Sequence, residues 1–358
     1  MTDGRPPLEA QGRAFPDHLL RLSMATNHQV RLASRPVGLP TRADWSFTEE
    51  PVAEPGDGTF LVKTLYISLD PAMRGWLNES RSYIAPVAIG DVMRALALGR
   101  VIASNDPDVV AGDYVSGPFG VQEYALSDGR AVRKVDPDLA PLPVHLSALG
   151  MTGRTAYFGL LDVGQLKPGE TVVVSAAAGA VGSIVGQIAK IKGCRAVGIA
   201  GGPEKCRYIV DELGFDVAID YKTLDVRAAL KEHCPNGIDV YFDNVGGHIL
   251  EAALARLARG ARIVICGAIS QYNVTGPPKG PSNYMALLVH RASMRGFLAG
   301  DYAARDDEAT QALAAWRASG RLRSREHIVD GLETFPDALI KLFTGDHLGK
   351  LIIRVADE

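Results

Sequence analysis

The sequence predicts an α/β protein in which a doubly wound parallel sheet is flanked by a mainly β module. The first observation is TVVVSAAAGAVGSIVGQIAKIKGC, residues 171–194, a β-branched apolar run that breaks at small residues and resumes with apolar residues at helical spacing. The second is the recurrence of this strand-then-helix unit in the residues that follow, as right-handed βαβ crossovers require. The third is a change of texture: upstream of residue 145 the chain runs in short alternating segments broken by turn residues.

Residues 1–22, MTDGRPPLEAQGRAFPDHLLRL, are rich in Pro, Gly and charge and read as a mobile tail. The β module follows, with strands expected at Gln29–Ser34, Arg100–Ala103 and Gly112–Ser116. In GDGTFLVKTLYISLDP, Gly56-Asp57-Gly58 makes a turn, and Leu61, Lys63, Leu65 and Ile67 alternate against Val62, Thr64, Tyr66 and Ser68. Strands of the parallel sheet are expected at Thr171–Ser175, Arg195–Ile199, Val217–Ile219, Ile238–Phe242 and Ala261–Cys266. Between them Val181–Lys192, Pro203–Leu213, Leu224–Cys234 and His248–Ala258 read as helices, the second with proline in its first turn. Helices at Glu308–Ser319 and Phe335–Phe343 and a strand at Lys350–Val355 close the chain. This order brings the chain ends together and leaves a cleft between two lobes for cofactor and substrate.

Composition narrows the function classes. A chain of 358 residues, 47% hydrophobic, has ample core for two domains. A formal net charge of -3 with no basic stripe argues against a nucleic-acid partner. No apolar run approaches the roughly 20 residues that span a bilayer. The N-terminus lacks a signal-like segment, so no membrane partner and a cytoplasmic location are expected. Cys194, Cys206, Cys234 and Cys266 form no C-x-x-C pair and read as reduced thiols.

Ala178, Gly179, Ala180, Val181 and Gly182 form the turn where a pyrophosphate would approach main-chain N–H groups, with Ala177 in place of the first glycine of G-x-G-x-x-G. Such a turn alone also fits flavodoxin-like and methyltransferase folds; the repeated β-α units favour a dinucleotide domain. The second strand ends in Gly198-Ile199-Ala200-Gly201-Gly202, without the acid that commonly binds the ribose hydroxyl of NAD. Lys205 follows, and Tyr221 lies after the third strand, a pattern that favours NADPH. Asn244, in Asp243-Asn244-Val245-Gly246-Gly247, falls at the sheet edge that faces cofactor.

The order MTGRTAYFGL (151–160), LKPGE (166–170), AAAGAVGS (176–183), AGGPEK (200–205), YFDNVGG (241–247) and CGAISQYN (266–273) resembles the medium-chain dehydrogenase/reductase superfamily. Within it the match is to the zinc-independent, NADPH-dependent alkenal and enone reductases, the prostaglandin reductase and curcumin reductase group. The similarity runs from LDPAMRG (69–75) to the end of the chain.

The resemblance implies a GroES-like substrate domain over 23–145, completed by 312–358, and a Rossmann cofactor domain over 146–311. It implies that Ala178 to Gly182 hold the pyrophosphate and that Lys205 and Tyr221 hold the 2′-phosphate of NADPH. Asn244, Cys266, Gly267, Ala268, Ile269, Tyr272, Asn273, Phe297 and His347 complete the implied cofactor set, His347 standing where relatives have asparagine. Ala72, in place of a tyrosine of the relatives, is implied in the substrate pocket with Arg74, Tyr83 and Tyr272. A homodimer is implied as well, and the apolar stretch Met285–Leu298 reads as a contact or core segment.

The first 150 residues contain no cysteine and only His18, His28 and His145, so a catalytic zinc is not expected. Metal-free hydride transfer from NADPH to the β-carbon of an enone or enal is the expected activity. Tyr272 is the expected catalytic residue, with the cofactor's ribose hydroxyl or water as alternative proton donors. Quinone reduction and non-catalytic NADPH binding are the alternative functions.

Overall fold

The structure, a computed structural model, describes residues 25–80 and 82–358; the tail expected at 1–22 lies outside the described residues. The first lobe contains β1 (Thr26–Leu32), β2 (Trp45–Pro51), β3 (Phe60–Ser68), β4 (Ala97–Ser104), β5 (Tyr114–Gly117), β6 (Tyr124–Ser127) and β7 (Arg133–Val135). β1 and β2 pair with each other, whereas β3, β4, β5 and β7 run side by side and β6 also pairs with β3. Along β3 both faces are covered. Phe60, Val62 and Ile67 enter the main core of this lobe, and Leu65 and Tyr66 join a smaller cluster with Leu98, Leu142 and Ile352. The register against β4 shifts between Thr64 and Tyr66, which redirects the side chains that follow.

The second lobe is built on β8 (Thr171–Ser175), β9 (Arg195–Ala200), β10 (Val217–Asp220), β11 (Ile238–Asp243), β12 (Leu257–Ile265) and β13 (Ser293–Gly296). They form a six-stranded sheet in the order β10-β9-β8-β11-β12-β13. All its pairings are parallel. The order reverses between β8 and β11, and the crevice at the carboxyl ends of those strands is where such sheets take ligands. Val172, Val173 and Val174 are fully buried because helices cover both sheet faces, which is why this strand is apolar without alternation. The helices Gly182–Ile191, Pro203–Arg207, Val226–His233 and Gly247–Leu254 connect the strands. Asp225 starts the third, its carboxylate accepting from the N–H groups of Arg227 and Ala228.

The chain then returns. β14 (Glu326–Asp330) and β15 (Lys350–Arg354) pair in parallel, and β15 lies antiparallel to β3, so the last strand completes the sheet of the first lobe. The boundary expected at 311/312 falls inside the helix Asp306–Ala318. Ala309, Leu313 and Trp316 of that helix all belong to the cofactor-lobe core, so the whole helix goes with the second lobe. An ion network spans the lobes here: Arg133 reaches Asp306 at 2.9 Å and Asp307 at 2.6 Å, and Arg154 reaches Asp306 at 3.3 Å.

Candidate active site

The turn after β8 is shaped by close approach. A Cβ on Gly182 would lie 2.3 Å from the Ala176 carbonyl oxygen, so the helix can start against the strand only with glycine there. Ala177 keeps its methyl because the space is conceded on β9: a Cβ on Gly198 would lie 2.8 Å from that of Ala177. The N–H groups of Ala180, Val181 and Gly182 donate to no acceptor among the described residues. They open the ten-residue helix Gly182–Ile191, an anion-binding arrangement. Gly349 closes the other side, its N–H donating to the Ala178 carbonyl at 3.0 Å.

At the neighbouring strand end, after β9, the Lys205 ammonium donates to the Gly345 carbonyl at 2.7 Å. Burial pushes the lysine pKa down, and the Lys222 charge nearby acts in the same direction. An incoming phosphate would offset both effects. Tyr221 lies against Gly201, where a Cβ would come within 2.8 Å of the phenol oxygen. The acid missing from the end of β9 has a counterpart on β10. Asp220 Oδ1 accepts from Gly202 N at 2.8 Å and from Lys222 N at 3.0 Å, so this carboxylate ties together the loops that carry Lys205 and Tyr221. Both Asp220 and Lys222 escape the sequence reading, which looks for an acid only after β9.

His347 stands near Lys205, its Nδ1 3.0 Å from the Lys341 carbonyl. Burial, and then the Lys205 charge, hold its pKa down at about 4. The ring is therefore neutral at neutral pH, and its carbonyl partner assigns the proton to Nδ1, leaving Nε2 as an acceptor.

At the other end of the cleft the loops after β11 and β12 are joined. Cys266 N and Gly267 N both donate to the Asp243 carbonyl, and Ile269 N donates to that of Asn244. The Asp243 side chain is 1% exposed, and its Oδ1 accepts from Ser175 Oγ, Tyr241 OH, Val245 N and Gly246 N. Burial raises the pKa of this carboxyl. Asn244 is fixed to the end of β8, its Nδ2 donating to the Ser175 carbonyl at 2.8 Å. The Cys266 thiol is pushed up to about 12 by burial, which leaves it inert.

Tyr272 folds back over this loop. Its oxygen accepts from Ala268 N at 3.1 Å. Burial raises the phenol pKa, and the neighbouring Cys266, Tyr83 and Asp243 add to the rise. The hydroxyl is thus protonated, and with its oxygen held by the loop it has a proton to offer. Phe297 lies edge-on to Phe242 at 6.5 Å between centroids and covers Gly159, where a Cβ would sit 2.6 Å from the ring.

The first lobe supplies the opposite wall. Ala72 and Arg74 lie on the single turn Ala72–Gly75. This turn is anchored by a buried ion pair: Lys350 Nζ donates to Asp70 Oδ1 at 2.6 Å and to the Leu69 carbonyl at 2.8 Å. Tyr83 is 60% exposed and accepts from Trp76 Nε1 at 3.2 Å. Arg74 is buried, its guanidinium bonded to loop oxygens.

A parallel sheet whose strand order reverses at a cleft, facing a second lobe closed by the chain's last strand, defines the medium-chain dehydrogenase/reductase class. Residues 28–135 match the family model for the N-terminal domain of oxidoreductase, and residues 180–317 match that for zinc-binding dehydrogenase. Among the described residues no group of three or more His, Cys, Asp and Glu side chains is placed to hold a metal ion. The chain is 45% identical over 337 residues to the NADPH-dependent curcumin reductase of Escherichia coli, covering 93% of this chain and 98% of the relative. It is 41% identical over 323 residues to prostaglandin reductase 1 of Rattus norvegicus, covering 88% and 95%. The crystal structure of CurA from Vibrio vulnificus in complex with NADPH superposes with a TM-score of 0.88 at 44% identity, covering 92% of this chain and all of that one. The chain belongs to the enone reductase family of the medium-chain dehydrogenase/reductases.

Proposed function

We propose that this protein reduces the carbon–carbon double bond of α,β-unsaturated ketones or aldehydes with NADPH. The observation that carries the reading is the protonated Tyr272 hydroxyl, held from behind by Ala268 N at the C-terminal edge of the sheet. Family membership and the NADPH dependence printed for the curcumin reductase relative support it. Bound in the crevice, NADPH supplies a hydride to the β-carbon. Tyr272 donates a hydrogen bond to the carbonyl oxygen as negative charge builds there, and solvent or a hydroxyl returns a proton to the α-carbon.

The chain fits the cofactor at both ends. The N–H groups of Ala180, Val181 and Gly182 would hold the pyrophosphate, with Ala178 and Gly179 shaping the turn. Lys205 and Tyr221 would hold the 2′-phosphate. Asn244, residues 266–269, Asn273 and Phe297 would frame the nicotinamide half. His347 would present a neutral acceptor where relatives carry an amide. On the substrate side Ala72 leaves space and Tyr83 stands at the mouth, a wall suited to bulky enones.

The deciding measurement is NADPH oxidation with an enone panel, a quinone panel and no acceptor, followed by product mass. A saturated ketone or aldehyde, two hydrogens heavier than the substrate, is expected. Turnover confined to quinones, or no turnover, overturns the reading.

The same reading gives a cytoplasmic homodimer. β13 is an edge strand, and the segment leading into it exposes Tyr284, Met285, Leu288 and Val289. An uncovered edge beside apolar side chains favours pairing with a second copy. Sedimentation of the wild type as a dimer, and of a Leu288→Glu variant as a monomer, is the expected outcome.

A further inference from the structure

We infer that Arg74 is a positioning residue that ties the loop carrying Tyr272 and Asn273 to the substrate lobe. The inference rests on the proposed role of Tyr272 only for its catalytic consequence.

Arg74 is 3% exposed. Its Nε donates to the Gly38 carbonyl and to Asn273 Oδ1, both at 3.0 Å. Nη1 donates to Asn78 Oδ1 at 2.6 Å, and Nη2 donates to the carbonyls of Gly38 at 2.9 Å and Pro36 at 3.3 Å. Among the described residues no carboxylate lies within ion-pair distance of it. Its charge is solvated by carbonyl and amide oxygens alone, with Asp44 acting from further away. A buried cation without a carboxylate partner is costly, and here nearly all of its five N–H donors are used to hold three chain segments together.

Those segments belong to both lobes. Residues 36–38 and 74–78 come from the first lobe and Asn273 from the second, 199 residues along the chain from Arg74. Gly38 adopts a positive φ of 76°, and a Cβ on it would lie 3.8 Å from the Asn273 carbonyl, so the two loops touch as well as bond. Beyond Asn273 residues 274–280 are exposed and find no core to pack against. Upstream, the loop is held by Ala268 N to Tyr272 OH and by the bonds to the β11 loop. The Arg74–Asn273 bond is thus the clamp on the far side of Tyr272, and it fixes the phenol relative to the wall that meets substrate.

The test exploits Asn273, because Asn273→Ala breaks the link between lobes and leaves the bonds of Arg74 to Pro36, Gly38 and Asn78 intact. Asn273→Asp keeps an acceptor and serves as the conservative rescue. Backbone hydrogen exchange over 266–276 is measured in the ligand-free full chain, with enone kcat and KM and NADPH Kd alongside. Asn273→Ala is expected to speed exchange about tenfold or more, the worth of one hydrogen bond to a charged group. It should lower kcat for the enone more than it raises KM, and Asn273→Asp should bring exchange back toward the wild-type rate. Unchanged exchange in Asn273→Ala, or exchange in Asn273→Asp as fast as in Asn273→Ala, overturns the inference. Faster exchange in a protein that turns over no enone supports the clamp and sinks the functional reading instead.

Discussion

At the proposed phosphate end of the cleft Lys205, Tyr221 and Asp220 come from consecutive strand ends of one sheet, whereas at the proposed reaction end Tyr272 and Asn273 are held partly by an arginine of the other lobe. The first end is mainly local: strand pairing brings its loops together, and Gly345 and Gly349 of the returning chain close over them. The second exists only once both lobes have met. On the proposed roles, substitutions at the first end should alter cofactor grip with little effect on chemistry, while those at the second should couple chemistry to lobe contact.

The sharpest way to break this contrast is Tyr272→Phe. If the phenol stabilises developing charge, kcat should fall about 10²-fold, roughly 3 kcal/mol. NADPH affinity should stay near the wild-type value, and single turnover with deuterated cofactor should show a larger isotope effect. A loss in NADPH binding with normal chemistry would move Tyr272 to the cofactor side of the comparison. At the other end, Lys205→Ala should weaken NADPH more than NADH by about 1–3 kcal/mol, read from fluorescence titration of each cofactor. Equal losses for both would erase the distinction between the ends.

His347 gives a pH test of the phosphate end. Its pKa is about 4 in the folded chain and near 6.5 when unfolded, so between these values the unfolded chain binds the extra proton. The stabilisation is fully present above pH 6.5 and is lost as pH falls toward 4, with a slope of up to about 1.4 kcal/mol per pH unit. His347→Asn should flatten the acid limb of a urea-unfolding series, leaving the shares of His145 and His327, whose pKa values burial also lowers. An unchanged limb would mean that the ring charges freely in the fold. The smallest effect is expected at Asp220. Asp220→Ala should reduce the preference for NADPH over NADH by about 1 kcal/mol through loosened loops, and Asp220→Asn should keep most of it. A fall in kcat instead would show that the two ends are not separable.

What could be read from the sequence follows the same division. β8 lies at Thr171–Ser175, as its uninterrupted apolar run predicts, because a strand covered on both faces advertises itself locally. β13, with the sequence SMRG, carries no such signal; an edge strand needs little apolar surface, and its pairing to β12 decides it. β2 and β14 escaped for a related reason, being rich in exposed or acidic residues. The glycines of the turn after β8 and the place of Lys205 after β9 are legible because short motifs carry them, and the roles proposed for them rest on those motifs. The partnership of Arg74 with Asn273 has no local signature, since only the closing of the lobes brings them together. Tyr272 lay between these cases: its place after a strand was readable, but the Ala268 amide that orients it was not.

The position of β15 bears on how the chain is made. This strand pairs with β3, and Lys350 binds Asp70 across 280 residues of sequence. As the polypeptide leaves the ribosome, every strand of the cofactor sheet can emerge, as far as Gly296, while the Tyr66–Ser68 end of β3, beyond its pairing with β6, still lacks its neighbour. The N-terminal lobe therefore completes its sheet only after the cofactor sheet has been made, although vectorial synthesis ordinarily favours the first domain maturing first. That end of β3 waits with an open strand edge until β15 has been made, a long-range pairing that slows folding.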